Sequence, residues 1–411
     1  MIGKILVLVP LLVLASLWPV PGCGGSGESW YLVDGELRYS EHFDSACLAP
    51  DGGYLLFGVR HPVGIWDSYE AVVMKVSPRG EKEWLRVIAS GGMLHCYASG
   101  TSDGGYVVAL GEEVWKLNSK LEVEWKSNTG PPLCVRQTSD GGYIVGVAGG
   151  VCKLDSKGRI QWRTGLYEFK YVYRVKQTPD GYVAASAENL FKLDPFGRVV
   201  RRMRVPGEKG EGYTFFVTSG CLFVEELSSR VYKLDSDWRV EWSIDLGLGK
   251  GNVSSIRELE NGDFLILFTL HTDDGTINGA AFSRVTPRGE VRWTRYFARG
   301  KKLSLDDMEL TPDGGCIACG IRGRWEPGPS SEPGVLTYWD SGDYLAMRMG
   351  PDLVPPQWEG EPGEGSPGSS GGPSGGLPLA WIGLGSGAAV LLLILLVRLR
   401  RRREAELGWD F

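Results

Sequence analysis

The sequence predicts an all-β chain, a seven-bladed β-propeller of four-stranded antiparallel blades. Three observations lead there. A tight glycine turn recurs seven times, counting one degenerate copy. A basic residue follows each turn, and a Trp stands nine positions after most of these basic residues. The segments between are short and strand-like, and the copies lie about 37–52 residues apart.

The clearest copy runs from Pro131 to Thr164. Cys134 to Thr138 reads as a strand, and Asp140-Gly141-Gly142 as a tight turn, because Gly adopts positive φ without steric cost. Tyr143 to Ala148, Val151 to Leu154 and Ile160 to Arg163 supply three more strands. Four strands cannot bury both faces of one sheet, so the unit needs neighbours of its own kind. The turn returns as Asp51-Gly52, Asp103-Gly104, Asp180-Gly181, Asn261-Gly262 and Asp313-Gly314, and in weaker form near Gly220. The basic/Trp pairs are Lys75/Trp84, Lys116/Trp125, Lys153/Trp162, Lys233/Trp242 and Arg284/Trp293. Lys192 is followed by Arg201 where Trp is expected, and Arg348 by Trp358, one position late. The Trp residues are expected between blades, the aspartates in turn geometry, and the aligned cations as side chains snorkelling beside the packing.

At 411 residues the chain could hold two or three domains, but a propeller uses about 320 of them as one. Residues 1–23 read as a secretory signal, with Lys4 ahead of an apolar run from Ile5 to Val20. Val20-Pro21-Gly22-Cys23 faintly resembles a lipoprotein cleavage box, to which Pro21 is a poor fit. Residues 30–352 hold the propeller. Trp30 to Ser40 reads as an orphan fourth strand, with Gly35 and Tyr39 at the spacing of Gly158 and Trp162. Pro355-Pro356 falls where the last blade should have its own fourth strand, and Pro removes a ladder donor. The N-terminal strand is therefore expected to close the ring and remove an exposed edge.

Residues 353–378 are rich in Pro, Gly, Ser and Glu and read as a flexible stalk. Leu379 to Val397 carries no charge and is long enough to cross a bilayer. Arg398 and Arg400 to Arg403 follow in the tail, residues 398–411, which the positive-inside rule places in the cytoplasm, with the propeller outside. The expectation is a single-pass cell-membrane protein. Leaving out the signal and tail, residues 24–397 carry 38 Lys+Arg against 47 Asp+Glu, a net charge near −9. That surface is unsuited to nucleic acid, whose binding depends on neutralising phosphates.

The eight Cys sit mostly in expected strands, where Cys is an ordinary small buried residue. Cys316 and Cys319 would point to opposite faces of one strand. A bridge between Cys96 and Cys134, in equivalent strands of adjacent repeats, stays open. The four His form no metal-binding spacing, and no nucleophile elbow or phosphate loop stands in the right context. Asp273-Asp274-Gly275-Thr276-Ile277-Asn278 has oxygen ligands but lacks the spacing and final Glu of a calcium loop. No catalytic residue, metal site or cofactor is expected.

Leu154-Asp155, Gly158 and Trp162 resemble the tryptophan-docking motif of pyrroloquinoline-quinone-type propeller repeats. The DGGY turns are similar to those of cell-surface propellers of archaea and bacteria. The resemblance covers roughly residues 30–352 and implies the fold. It does not imply the quinone activity, because the vicinal Cys pair of those dehydrogenases is missing. The C-terminal span with its Arg cluster resembles archaeal surface-sorting tails. Gly371-Gly372-Pro373 replaces the Cys-Gly-Pro of one such type.

The functional clue is unequal repeat length. From the residue after the turn to the aligned cation is 10 positions in repeats two to four and 12 in repeat five. It is 21 in repeat one, 20 in six and 32 in seven. These insertions join second and third strands, so they share a face, and the three repeats are consecutive once the ring closes. The resulting crescent carries Trp66, Asp67, Tyr69, Glu70, His271, Asp273, Asp274, Trp325, Glu326, Tyr338, Trp339, Asp340, Asp343 and Tyr344. Aromatics beside carboxylates on a rigid scaffold suit a surface glycan or envelope protein. The alternatives are a propeller glycoside hydrolase or lyase using carboxylates of the same loops, or an envelope-assembly scaffold.

Overall fold

The computed structural model describes residues 29–63, 65, 68–91, 95–166, 171–207, 212–273, 277–324 and 341–358. The signal, most of the stalk, the expected membrane span and the tail lie outside the described residues.

Seven four-stranded antiparallel sheets form among the described residues, each running from an inner to an outer strand. Blade 3 shows the pattern: Pro132–Gln137, Tyr143–Val147, Gly150–Leu154 and Ile160–Gly165 pair in that order. The inner strands of successive blades contact each other around a central channel. Between blades lie layers of buried aliphatic and aromatic side chains.

The turn motif has a second half that its spacing conceals. Asp140 Oδ1 accepts from the Gly142 amide at 3.0 Å and from the Thr138 hydroxyl. Lys153 reaches the same carboxylate, Nζ to Oδ2 at 2.9 Å, and is only 1% exposed. A Cβ on Gly142 would sit 2.4 Å from that Nζ and 2.3 Å from the Leu154 carbonyl. The second glycine of the motif is therefore the space the ammonium occupies. The pairing recurs as Lys75–Asp51, Lys116–Asp103, Lys192–Asp180 and Arg348–Asp313. In blade 6 the carboxylate moves two residues on, to Asp263, and takes Arg284 at 2.7 Å. In blade 5 the turn has no Asp, and Lys233 takes Glu241 from the outer strand at 3.0 Å. Most of the aligned cations thus fold inward onto a carboxylate; snorkelling was the wrong picture of them, and only Lys192 stays about one-third exposed.

The Trp residues lock neighbouring blades. Trp162 donates Nε1–H to the Pro195 carbonyl at 3.2 Å and covers Gly197 of the next blade. Trp125 does the same at Ser156 and Gly158, and Trp242 at Pro287 and Gly289. Gly158 has φ of +77°, and a side chain there would enter the Trp125 ring. Blade 4, whose Trp is replaced by Arg201, exchanges the two partners. Trp238 stands at the turn position of blade 5, and the Arg201 guanidinium lies 5.0 Å from its ring centre and donates to the Asp237 carbonyl.

Closure of the ring follows the expectation, in a different register. Trp30–Asp34 is the outer strand of blade 7 and pairs with the third strand, Ser341–Met349. Trp30 stands opposite Arg348, as Trp162 stands opposite Lys153. Its Nε1 donates to the Pro78 carbonyl at 3.1 Å, and its ring covers Gly80 of blade 1. Trp30, not Tyr39, is the counterpart of Trp162; Tyr39 opens the inner strand of blade 1, Tyr39–Leu48. Trp358 belongs to no strand and stacks on Tyr31 at 4.8 Å, so it is not the seventh docking Trp.

The seven described cysteines are buried thiols, and the Cys96–Cys134 bridge does not form. Cys316 and Cys319 face separate layers, one with Leu345 and Met347, the other with Trp30 and Tyr344.

Candidate functional site

In blades 1 and 6 the insertions lengthen strands more than connections, and in blade 7 the two strands lengthen as well. In blade 1 the second and third strands are Tyr54–Pro62 and Tyr69–Val76; in blade 2 they are Tyr106–Leu110 and Glu113–Leu117. Blades 6 and 7 are tall in the same way, with Phe264–His271 and Ile277–Val285, and Cys316–Arg324 and Ser341–Met349. Three consecutive blades therefore rise above the other four on one face.

This relocates several expected ligand residues. Tyr69 is buried, its ring 4.8 Å from that of His61. Tyr344 is buried between blades 7 and 1, stacked on Phe43 with ring centres 4.4 Å apart. Asp343 is buried and takes Arg322 at 2.7 Å. Asp343 and Tyr344 point to opposite faces of their strand and both are buried, as Tyr69 is, so all three are parts of the raised wall and not its binding tips. Glu70 pairs with Arg60 at 2.6 Å on the half-buried flank. Asp273 is exposed at the blade 6 tip, 3.5 Å from Lys250. Burial lowers the pKa of His271, at the end of its strand. Trp66, Asp67, Asp274, Trp325, Glu326, Tyr338, Trp339 and Asp340 lie outside the described residues.

A second group of polar residues, not singled out in the sequence, lines the channel under this wall. The inner strands of blades 1, 6 and 7 are Tyr39–Leu48, Gly251–Glu258 and Leu303–Leu310. Each carries one extra residue that breaks the pairing register: Asp44, Ser254 and Asp306. Such bulges re-aim side chains. Asp44 Oδ1 lies 3.3 Å from His42 Nε2, and Oδ2 accepts from the Cys96 amide of blade 2 at 3.0 Å. Burial opposes ionisation of both partners, but their attraction wins, raising His42 and lowering Asp44. Asp306 has no such ion pair among the described residues. Burial pushes its carboxyl up to about 7; the nearby His42 opposes the shift, and Asp44 and Asp307 add to it. Arg257 of blade 6 bridges to Asp307 at 3.0 Å and Glu309 at 3.2 Å on blade 7. The sequence signal was the disturbed alternation in His42-Phe43-Asp44-Ser45 and Leu305-Asp306-Asp307-Met308.

A raised acid binds its proton more tightly when folded than when unfolded. Asp306 should therefore make the protein less stable as pH rises from about 4 to about 7. The full shift would correspond to about 4 kcal/mol at 1.36 kcal/mol per unit; solvent in the channel should reduce it to about 1–2 kcal/mol. Asp306→Asn is expected to melt higher than the parent at pH 8 and level with it near pH 4. A difference that does not change with pH would show that Asp306 is ionised throughout.

No family model matches this chain, and no curated protein matches it. Solved structures do match. The chain is similar to the BBS1N protein solved in complex with ARL6DN and soaked with mercury: TM-score 0.51, 13% identity, 80% of this chain and 99% of that one. It is also similar to the extracellular domain of a putative one-component system from B. thetaiotaomicron. There the TM-score is 0.51 and the identity 12%, over 82% of this chain and 46% of that one. What these share with the chain is the fold. It is a seven-bladed β-propeller.

Proposed function

We propose that the chain is a binding or scaffold propeller held at the cell membrane, with the propeller outside. It engages a surface glycan or an envelope protein on the raised side formed by blades 6, 7 and 1. The observation that carries this reading is the height of three consecutive blades over four short ones. A rigid ring that is tall on one side presents a stepped surface, and the strand ends Pro62, Tyr69, His271, Ile277, Arg324 and Ser341 are on that step. That BBS1N was solved with a protein partner makes a protein ligand natural for this fold. The membrane anchoring rests on the apolar run Leu379 to Val397 and the arginines after it.

The test uses intact cells displaying the full-length chain, screened against envelope glycans and surface proteins. Protease added from outside should remove the propeller. For any ligand found, Trp66, Trp325 and Trp339 replaced together by Ala should reduce binding at least a hundredfold, since anchors of this kind contribute about 1–2 kcal/mol or more each. Binding untouched by the triple substitution, or a propeller shielded from protease, would refute the reading.

A second reading, a glycoside hydrolase or lyase, draws on one observation. The His42 partner favours the ionised form of Asp44, while burial lets Asp306 hold its proton up to about pH 7, the division of roles that acid–base pairs need. They stand on bulges in the channel, not in the loops. Release of reducing ends from envelope polysaccharide that is lost in Asp306→Asn would favour it; its absence from every polysaccharide tried would leave the pair structural.

A further inference from the structure

The channel wall of blades 2 to 5 differs from that of blades 6 and 7. Across the ring, Arg257 is neutralised by Asp307 and Glu309. On the inner strands of blades 3 and 4, Arg136, Arg174 and Lys176 have no carboxylate within ion-pair distance among the described residues. Each makes one contact with a backbone carbonyl: Arg136 to Val135 at 2.8 Å, Arg174 to Tyr173 at 3.0 Å and Lys176 to Val217 at 2.8 Å. A guanidinium has five N–H donors, so most of those on Arg136 and Arg174 point elsewhere.

Register shows what faces Arg174. Tyr97, Cys134, Arg174 and Tyr213 occupy equivalent inner-strand positions in blades 2, 3, 4 and 5, each three residues before the pair that closes its hairpin ladder or its equivalent. Arg174 interacts electrostatically with Tyr97 of blade 2 and Asp307 of blade 7, which are not adjacent to blade 4. Such partners meet only across the central axis, so these side chains converge in the channel. Arg174 also lies over the Phe215 ring at 5.1 Å, which fixes the plane of its donors. The hydroxyls of Tyr97 and Tyr213 have no protein hydrogen-bond partner among the described residues.

Burial disfavours the charge on Arg174, and Arg136 repels it. Asp307 attracts Arg174 only from beyond ion-pair distance, so two neighbouring guanidiniums without a paired carboxylate are costly unless an anion completes the set. We propose that Arg174 and Arg136, with the Tyr97 and Tyr213 hydroxyls, form an oxyanion site inside the central channel. It takes the carboxylate of a sugar acid, or a phosphate or sulfate group of similar size. Lys176 adds positive charge one step along the same strand. The site is independent of the raised crescent and lies deeper in the ring.

The experiment is a thermal melt of the full-length chain in glucuronate, inorganic phosphate or sulfate, against chloride at equal ionic strength. At least one oxyanion is expected to raise Tm in a saturable way, because a ligand that binds only the folded state stabilises it. Arg174→Gln should abolish that rise, and Arg136→Gln should weaken binding at least tenfold. Arg159→Gln, on the outer rim, should keep it. In chloride Arg174→Gln should melt no lower than the parent, since it removes an unpaired charge. Arg136 is exposed, so its variant tests the site even if Arg174→Gln fails to fold. A rise with glucuronate alone identifies a carboxylate ligand; a rise with inorganic phosphate or sulfate identifies the tetrahedral anion. No rise over chloride, or an equal rise in Arg136→Gln and parent, would overturn the proposal.

Discussion

A chain that begins at Gly35 is expected to lose the cooperative unfolding of the whole ring. Trp30–Asp34 is the outer strand of blade 7, and its loss bares the edge of Ser341–Met349. It also removes the strand that joins that blade to the other end of the sequence, and with it the lock between blades 7 and 1. Trp30 is 1% exposed, packs at 5.8 Å from Tyr54 and is bonded to Pro78. Ser29 adds two bonds, accepting from the Gly350 amide and donating to the Val354 carbonyl. Trp30→Ala alone is expected to cost about 3–5 kcal/mol, and the full truncation more, against a typical total of about 5–15 kcal/mol. Phe196→Ala, at a side chain 73% exposed, is the control and should change little. Urea melts followed by Trp fluorescence decide it: if the truncated chain unfolds at the parent's midpoint with the parent's slope, the strand does not close the ring.

The propeller was legible because its turns and docking sites demand particular residues. Gly142 must leave room for an ammonium, and Gly158 for an indole, so both recur at fixed spacing. The Asp140–Lys153 pair escaped notice because the two meet only when the third strand returns to the height of the first turn. Arg201 looked like a missing Trp; the ring had moved to Trp238 on the next blade, which no single repeat reveals. The insertions looked like loops because length alone does not distinguish a longer hairpin from a longer connection. Their alternation, as in Tyr69-Glu70-Ala71-Val72, was the strand signal. The channel residues were the least visible. Tyr97 and Arg174 are far apart in sequence and sit on blades that are not consecutive, so only the closed ring brings them within electrostatic reach.

The turn–cation pair should be a principal source of stability, and its two partners should respond differently to substitution. Asp140→Ala leaves the Lys153 ammonium buried with only the Leu154 carbonyl, and also removes the bonds to Gly142 and Thr138. Breaking a fully buried pair from one side costs about 3–5 kcal/mol; Asp140 is itself 53% exposed, so about 2–3 kcal/mol is expected. Lys153→Met removes the charge and keeps most of the volume, and should cost clearly less. In the Lys153→Met background, Asp140→Ala should lose only its turn bonds, about 1 kcal/mol, giving a coupling of about 1–2 kcal/mol in a double-mutant cycle. The same pair sets the acid limit. Burial would raise Asp140, but the Thr138 hydroxyl, Lys153 and the Gly142 amide outweigh it and hold its carboxyl at about 2; Asp103 is held at about 2 in the same way. A lowered carboxylate contributes stability above its unfolded value near 4 and loses it as pH falls towards 2. Since Asp51, Asp180 and Asp313 are lowered as well, the ring should unfold in acid between about pH 4 and 2. Asp140→Ala should be lower in stability at pH 7 but closer to the parent at pH 2. A gap between the two that stays constant over that range would mean the carboxylate acts through turn geometry alone, without the charge of Lys153.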